Sequence, residues 1–374
     1  MIPEYIQNAK RVVIKVGSAL LFDPVRGEAR KDWMKALAAD VTALHSQGSQ
    51  VLLISSGSIA LGRRHLGLNN KTIRLEEKQA AAATGQVELA QLWSEALADS
   101  GLRAGQILLA PEDTETRRRH INARATIQTL LDLGVVPVVN ENDTVTTYEI
   151  RFGDNDRLAA RVAAMVSADL LILLSDVDGL YTANPRQTET ARHIPEIKDI
   201  TPEILAMGGT ANAEFASGGM ATKLAAARIA SAAGVGMIIC KGFDDRPVSS
   251  LLSGAKCSFF TPQTSLVKAR KTWIAGALDP KGSILVDQGA QTALRQGKSL
   301  LPAGVAKING QFERGDLVVV LTETGTELGH GLAGHSSAEA DKLKGHNSKD
   351  FAMILGYECR AELIHADDLV LRNE

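Results

Sequence analysis

Residues 135–164 read VVPVVNENDTVTTYEIRFGDNDRLAARVAA and decide the fold. Residues 135–139 are apolar and β-branched, which is typical of a buried strand. The polar cluster NEND follows this strand, and a second cluster, GDND, precedes apolar residues at helical spacing. Because ligands bind at the carboxyl edge of an open α/β sheet, the two clusters indicate a binding site. Asn and Asp also make plain turns and helix caps, but two clusters around one short loop weigh against that interpretation.

The composition is that of a globular protein. The chain has 374 residues, 45% of them hydrophobic and 22% charged, which is enough for two domains. A formal net charge of -2 gives no general attraction for nucleic acid or an anionic membrane. Cys240, Cys257 and Cys359 are widely spaced and form no CxxC pair, which argues against a disulfide framework or a zinc site. These features, with no run apolar enough for a signal peptide or membrane span, predict a cytoplasmic protein.

Strand-like and helix-like segments alternate along the first 260 residues. Strands are predicted at residues 11–16, 50–54, 106–110, 135–139, 170–174 and 235–240. An Ala-rich helix is predicted over residues 75–97, with a break near Gly85. Because the strands are apolar on both faces, we predict an α/β three-layer sandwich with a central, mostly parallel sheet. Lys15 interrupts the first strand, and it needs an anionic partner if that strand is central, whereas at an edge it can reach solvent.

The pattern changes after the α/β part, which we place at residues 1–262. Residues 263–280 show little periodicity and are predicted to be a linker. Residues 281–360 contain short β runs between Gly-containing turns, which predict a small, mainly β domain. Residues 361–374 are predicted to be a C-terminal tail.

The chemistry available at the predicted strand ends is two lysines, several aspartates and Gly-rich turns. The segment SGGMATK leads into a helix, where backbone N–H groups hold phosphate and Lys223 adds a positive charge. Taken alone, Gly-Gly before a helix is more often a plain turn. The sequence has no GxxxxGK[ST], GxGxxG, HRD, DFG, GxSxG or HExxH motif, which excludes P-loop proteins, protein kinases and dinucleotide binders. The remaining groups suit phosphoryl transfer by positioning and charge neutralisation.

Ordered motifs in this chain resemble those of the amino acid kinase superfamily. They are VIKVGSALL, LISSGSIALGRRHLG, VVPVVNENDTV, FGDNDRLAARVA, LLSDVDGLYTANPR and SGGMATKLAAARIA. The resemblance covers residues 8–262, and the segment from GSILVDQGA to ILGYE resembles a PUA domain. NEND followed by GDND separates the chain from the members that act on carbamate, aspartate, N-acetylglutamate or uridylate.

The resemblance implies a role for each motif residue. Lys15 and Lys223 would stabilise the transferring phosphoryl group, and Asp156 would hold the two lysines in place. The residues that would bind the amino-acid substrate are Ser56, Gly57, Asn140, Asp143, Asp154 and Asn155. The residues that would line the ATP site are Lys15, Ser175, Asp176, Ser217, Gly218, Gly219, Met220, Ala221, Thr222 and Lys223. Asn184 stands where Asp is common in the family, which removes a charge near the nucleotide.

The implied reaction is ATP-dependent phosphorylation of the γ-carboxylate of L-glutamate, the first step of proline biosynthesis. That carboxylate, with a pKa of about 4.3, is already ionised at pH 7 and needs no general base. Asp143 and Asp154 suit the ammonium group of the substrate. The resemblance also implies Mg²⁺ bound with ATP, inhibition by L-proline, a reductase that consumes γ-glutamyl phosphate, and a homo-oligomer.

Two alternatives remain open at this point. The first is a protein that binds or modifies RNA through the PUA domain. Residues 281–374 hold ten Lys/Arg and thirteen Asp/Glu, which is a poor electrostatic footprint for RNA, so a role in regulation or assembly is favoured. The second is a related kinase that acts on another substrate.

Overall fold

The computed structural model describes residues 2–23, 25–68, 72–146, 155–209, 219–275 and 280–372. The chain divides into two compact units, Met1–Leu266 and Val267–Glu374. Within the described parts of the chain, we find no helix with both the length and the apolar character needed to cross a membrane.

The first unit alternates strands and helices. Its strands are β1 (Arg11–Val16), β2 (Phe22–Asp23), β3 (Glu28–Ala29), β4 (Gln50–Ser55), β5 (Arg103–Leu109), β6 (Val135–Glu141), β7 (Leu170–Ser175), β8 (Leu180–Tyr181), β9 (His193–Ile194), β10 (Glu196–Ile197), β11 (Gly236–Lys241) and β12 (Cys257–Phe260). Its helices are α1 (Ile2–Asn8), α2 (Ser18–Leu21), α3 (Lys31–Ser46), α4 (Ser58–His65), α5 (Leu75–Ala98), α6 (Pro111–Glu115), α7 (Arg117–Asp132), α8 (Asn155–Met165), α9 (Pro202–Ala206), α10 (Met220–Ala232) and α11 (Pro247–Leu252).

Eight of these strands form one sheet in the order β10-β12-β11-β7-β1-β4-β6-β5. The six strands from β11 to β5 pair in parallel, so their carboxyl ends meet at one edge of the sheet. Alternate residues of β1 pack on opposite faces, with Val12 and Ile14 in one buried apolar cluster and Val13 in the other. The predicted mostly parallel sheet with helices on both sides is therefore confirmed. Strand β1 lies between β4 and β7, so Lys15 sits in a central strand.

Helix α5 runs without a break through Gly85, so the break predicted there is wrong. A Cβ atom added at Gly85 would lie 1.9 Å from the carbonyl oxygen of Ser58, and one at Gly62 would lie 1.7 Å from that of Ala81. Both glycines therefore allow α4 and α5 to approach closely. The local sequence pattern does not distinguish a glycine that ends a helix from one that allows such a contact.

The second unit contains a five-stranded sheet and its own apolar core. Its elements are β13 (Gly282–Val286), α13 (Gln288–Arg295), β14 (Val305–Gly310), β15 (Leu317–Thr322), β16 (Glu327–Leu332), α14 (Ser337–Leu343), α15 (Phe351–Leu355) and β17 (Leu369–Leu371). The strand order is β14-β13-β15-β16-β17, in which β13 and β15 pair in parallel and the other neighbours pair antiparallel.

The structure differs from the predicted linker and tail. Helix α12 (Leu266–Ala275) lies within the residues predicted to be a linker. Strand β17 lies within the residues predicted to be a tail, and it pairs with β16. Leu363, Ile364 and Leu369 are buried in the core of this unit, and the burial of their apolar side chains stabilises the structure of this segment.

Substitution of Gly85 tests the close contact between α4 and α5. Ala is normally favoured over Gly inside a helix by about 1 kcal/mol. We expect Gly85→Ala instead to lower the free energy of unfolding by about 1–3 kcal/mol, because its methyl group would overlap the backbone of α4. Urea denaturation measures the change, and Thr84→Ala on the exposed side of α5 is the control. A Gly85→Ala variant more stable than the wild type would show that the helices do not approach so closely.

Candidate active site

The ends of β1, β4, β6 and β7 surround one cavity of about 600 Å³. Eleven of the residues that the sequence analysis proposed for catalysis or binding line this cavity: Lys15, Ser56, Gly57, Asn140, Asp143, Asn155, Asp156, Ser175, Asp176, Gly219 and Lys223. They come from distant parts of the chain, and the parallel sheet brings them together because its strand ends share one edge. Met220, Ala221 and Thr222 form the first turn of α10, directly after Gly219. Asp154, Ser217 and Gly218 lie outside the described residues.

Asp156 contacts both predicted lysines at the bottom of this cavity. Its Oδ1 atom lies 2.5 Å from Nζ of Lys15, and its Oδ2 atom accepts a hydrogen bond of 3.0 Å from Nζ of Lys223. The Asp156 side chain is 1% exposed, and those of Lys15 and Lys223 are 8% and 10% exposed. The carboxylate therefore ties together a central strand and the first turns of α8 and α10.

The charge state of this cluster follows from its contacts. Burial raises the pKa of the Asp156 carboxyl group, but Lys15 and Lys223 outweigh burial and lower that pKa to about 2. Asp156 is therefore ionised at neutral pH. With two ammonium groups against one carboxylate, the cluster presents net positive charge to the cavity, which suits an anionic ligand.

A network of amide hydrogen bonds lies beside the charged cluster. Nδ2 of Asn155 donates to Oδ1 of Asn140 at 2.9 Å and to Oγ of Ser56 at 2.8 Å. Nδ2 of Asn140 in turn donates to Oε1 of Gln86 at 2.9 Å. These bonds set the orientation of the side-chain amides of Asn140, at the end of β6, and Asn155, at the start of α8. A ligand on this side meets fixed donors and acceptors, with the carboxylate of Asp143 among them.

A second cavity, of about 780 Å³, shares Asp176 with the first. Residues 177–187 line it, together with Met220 at the start of α10. Asn184 lies in this group, and its Oδ1 atom accepts a hydrogen bond of 3.0 Å from the backbone N–H of Arg186. The side-chain amide of Asn184 therefore stabilises the turn in which it lies.

The sequence analysis assigned no role to two charged residues that line the first cavity, Arg63 and Glu141, although Glu141 belongs to the NEND cluster. Both lie inside motifs that carry the family resemblance, which was the available signal. A basic residue near a helix end is, however, more often solvated than part of a site.

Among the described residues, no group of three or more His, Cys, Asp or Glu side chains is placed to hold a metal ion.

The chain is similar to known proteins and to two family models. A sequence model of the amino acid kinase family matches residues 10–241, and one of the PUA domain matches residues 282–355. The glutamate 5-kinase of Bradyrhizobium sp. (strain BTAi1) is 55% identical to this chain over 366 residues, which are 98% of this chain and 97% of that protein. The glutamate 5-kinase of Nitrobacter hamburgensis is 54% identical over 367 residues, with the same coverage of 98% and 97%. Among solved structures, a carbamate kinase from Giardia lamblia bound to AMP-PNP has a TM-score of 0.49 at 18% identity, covering 68% of this chain and 99% of that chain.

The family match spans most of the first unit, and the relatives match nearly the full length. The resemblance predicted from the ordered motifs is thereby confirmed, as is the PUA domain that follows them. The chain therefore belongs to the amino acid kinase family, and within it to the glutamate 5-kinases, with a PUA domain after the kinase domain.

Proposed function

We propose that this protein transfers the γ-phosphoryl group of ATP to the γ-carboxylate of L-glutamate, the first step of L-proline biosynthesis. The observation that carries the proposal is the buried cluster of Lys15, Asp156 and Lys223, which lines the same cavity as the amides of Asn140 and Asn155 and the carboxylate of Asp143. The relatives named glutamate 5-kinase, which match nearly the whole chain, support glutamate as the substrate.

In this reaction an oxygen of the γ-carboxylate attacks the γ-phosphorus of ATP. The bond between that phosphorus and the β,γ-bridging oxygen breaks, which yields γ-glutamyl phosphate and ADP. No proton moves, because the attacking carboxylate is already ionised at neutral pH. The difficulty is repulsion between two anions, and two fixed ammonium groups reduce it where the charge develops. Lys15 and Lys223 supply these groups, and Asp156 holds them in position.

The Mg²⁺ that accompanies ATP belongs to the nucleotide substrate in this proposal, where it neutralises part of the phosphate charge. Both carboxylate oxygens of Asp156 contact lysines. The protein groups proposed to face the phosphates here are therefore the two ammonium groups. ATP would lie along Ser175, Asp176 and the start of α10, with Ser217 and Gly218 as further ligands.

The amino-acid substrate would lie among the groups on the other side of the cavity. Ser56, Gly57, Asn140 and Asn155 would position it through hydrogen bonds. Its ammonium group would pair with Asp143 and Asp154, because a buried cation needs an anionic partner.

Further features of the proposal follow from the family and the composition. L-proline would inhibit the enzyme, and a γ-glutamyl phosphate reductase would consume the product. The protein would be cytoplasmic, which is consistent with its three free cysteines. It would also form a homo-oligomer. The PUA domain, which we place at residues 281–360, would serve regulation or assembly, because residues 281–374 hold ten Lys/Arg against thirteen Asp/Glu, a charge balance that disfavours RNA binding.

The decisive experiment is an assay of ATP consumption and hydroxamate formation with L-glutamate and hydroxylamine, which traps an acyl phosphate. We expect activity with L-glutamate and little with aspartate, N-acetylglutamate or UMP. Phosphorylation of one of those substrates in preference to L-glutamate would refute the proposal.

Removal of either lysine tests the phosphoryl-transfer cluster. We expect Lys15→Ala and Lys223→Ala each to lower kcat by about 100- to 1000-fold, the range for losing one fixed donor at a developing charge. Lys35→Ala is the matched control, because Lys35 is an exposed lysine of α3 that pairs only on the surface with Asp99. A variant that keeps more than about a third of the wild-type kcat would remove that lysine from the mechanism.

The pH dependence of stability tests the lowered pKa of Asp156. A carboxyl group whose pKa is lower in the folded state, here about 2 against 3.8, stabilises the fold above pH 3.8, and this stabilisation is lost as the pH falls towards 2. We expect Asp156→Asn to lower the free energy of unfolding at pH 7 by about 3–5 kcal/mol, because two buried lysines lose their counter-ion. The difference in the free energy of unfolding between Asp156→Asn and the wild type should become smaller as the pH falls from 4 to 2.

Urea denaturation across this pH range measures both effects. Asp99→Asn, which changes an exposed carboxylate, is the control. A wild-type advantage that stays constant down to pH 2 would contradict the assignment.

A truncated chain tests where the activity resides. The described residues proposed for catalysis and binding all lie in Met1–Leu266, which has its own buried apolar clusters. We expect residues 1–266 to unfold cooperatively and to phosphorylate L-glutamate, with any change confined to proline sensitivity, Mg²⁺ dependence or oligomer size. The measurements are kcat, KM and solution mass. A folded but inactive truncation would show that the second unit completes the site.

A further inference from the structure

The charges that line the first cavity are unevenly distributed. Of the residues that the structure describes, three with cationic side chains line it, and two of them, Lys15 and Lys223, contact the carboxylate of Asp156. The third is Arg63, which lies on α4. An amino-acid substrate that presents one carboxylate to the two lysines carries a second carboxylate, which needs a cation of its own when it leaves water.

Arg63 is held at the other end of α4 from the strand edge. Its Nε and Nη2 atoms both donate to the carbonyl oxygen of Leu68, at 3.3 and 3.2 Å. Arg63 follows Ser58, the first residue of α4, by five positions, which is roughly 8 Å along the helix. A guanidinium group has five N–H donors in a planar fork, so it can hold several partners at once, and a carboxylate is the partner that fits this fork best.

The face of α4 that carries Arg63 is turned towards the cavity. Ile59 and Ala60, four and three positions earlier, line the same cavity, as expected for residues on one helical face. The next residue, Arg64, lines a separate groove together with Glu88 and Phe243. Two adjacent arginines therefore face different surfaces, and Arg64 is a matched control for Arg63.

We propose that Arg63 binds the α-carboxylate of the amino-acid substrate, and that this contact makes the enzyme selective for an α-amino acid. The inference rests on the proposed function, since it concerns the same cavity and the same substrate. The substrate would lie with its γ-carboxylate towards Lys15 and Lys223 and its α-carboxylate towards Arg63. Arg63 is a specificity-determining residue in this arrangement and takes no part in the transfer itself.

The test compares L-glutamate with 4-aminobutyrate, which is glutamate without the α-carboxylate, as substrates and as competitive inhibitors. We expect Arg63→Ala to raise the KM for L-glutamate about 10- to 100-fold, the effect of losing a charged hydrogen-bonded contact, with kcat and the KM for ATP near the wild type. Its affinity for 4-aminobutyrate should stay unchanged, so the preference for L-glutamate falls by the same factor. Arg63→Lys should give an intermediate loss, and Arg64→Ala should keep the full preference.

A parallel loss of affinity for both compounds in Arg63→Ala would overturn the inference, because it would indicate a structural role through Leu68. An unchanged preference in Arg63→Ala would overturn it as well. Both compounds are measured on one preparation, so a fraction of unfolded protein does not alter their ratio. Failure of the proposed function is recognised separately, since the wild-type protein would then show no turnover of L-glutamate.

Discussion

The contact of Asp156 with Lys15 and Lys223 is the interaction on which the rest of the site depends. A lysine in the central strand of a buried sheet requires an anion, and a buried carboxylate requires cations in return. The three side chains satisfy one another and leave an excess of positive charge at the edge where the parallel strands end. In the proposed mechanism, charges held in place in this way need no reorganisation when charge develops during phosphoryl transfer.

Helix packing supports the other side of the site. Gly62 and Gly85 allow α4 and α5 to lie close together, and Gln86 follows Gly85 directly. Gln86 accepts a hydrogen bond from Asn140, which in turn accepts one from Asn155. Gln86 on α5 therefore helps to orient the amides of Asn140, at the end of β6, and Asn155, at the start of α8. In the same way, the direction in which α4 leaves the sheet decides which of its basic residues faces the cavity.

The two units differ in what they contribute. The first contains the cavity and the described residues proposed for catalysis and binding, and the second has a separate core and a sheet with one parallel pair. The excess of Asp/Glu over Lys/Arg in residues 281–374 disfavours RNA binding, so regulation or assembly remains the proposed role of the PUA domain.

The residue pattern alone was enough to predict the class of fold and the edge of the sheet at which the candidate site lies. Apolar, β-branched runs are buried on both faces, and polar clusters that follow them must meet at the strand ends, so local pattern is sufficient for both conclusions. It also showed that Lys15 would need a partner in a central strand. Three findings required the three-dimensional structure. Asp156 contacts both lysines, and Gly85 lies inside an unbroken helix. Arg63 lines the cavity, whereas Arg64 lines a separate groove. These outcomes depend on contacts between residues far apart in the chain or on the rotation of a helix against its neighbours, and local residue patterns do not contain that information.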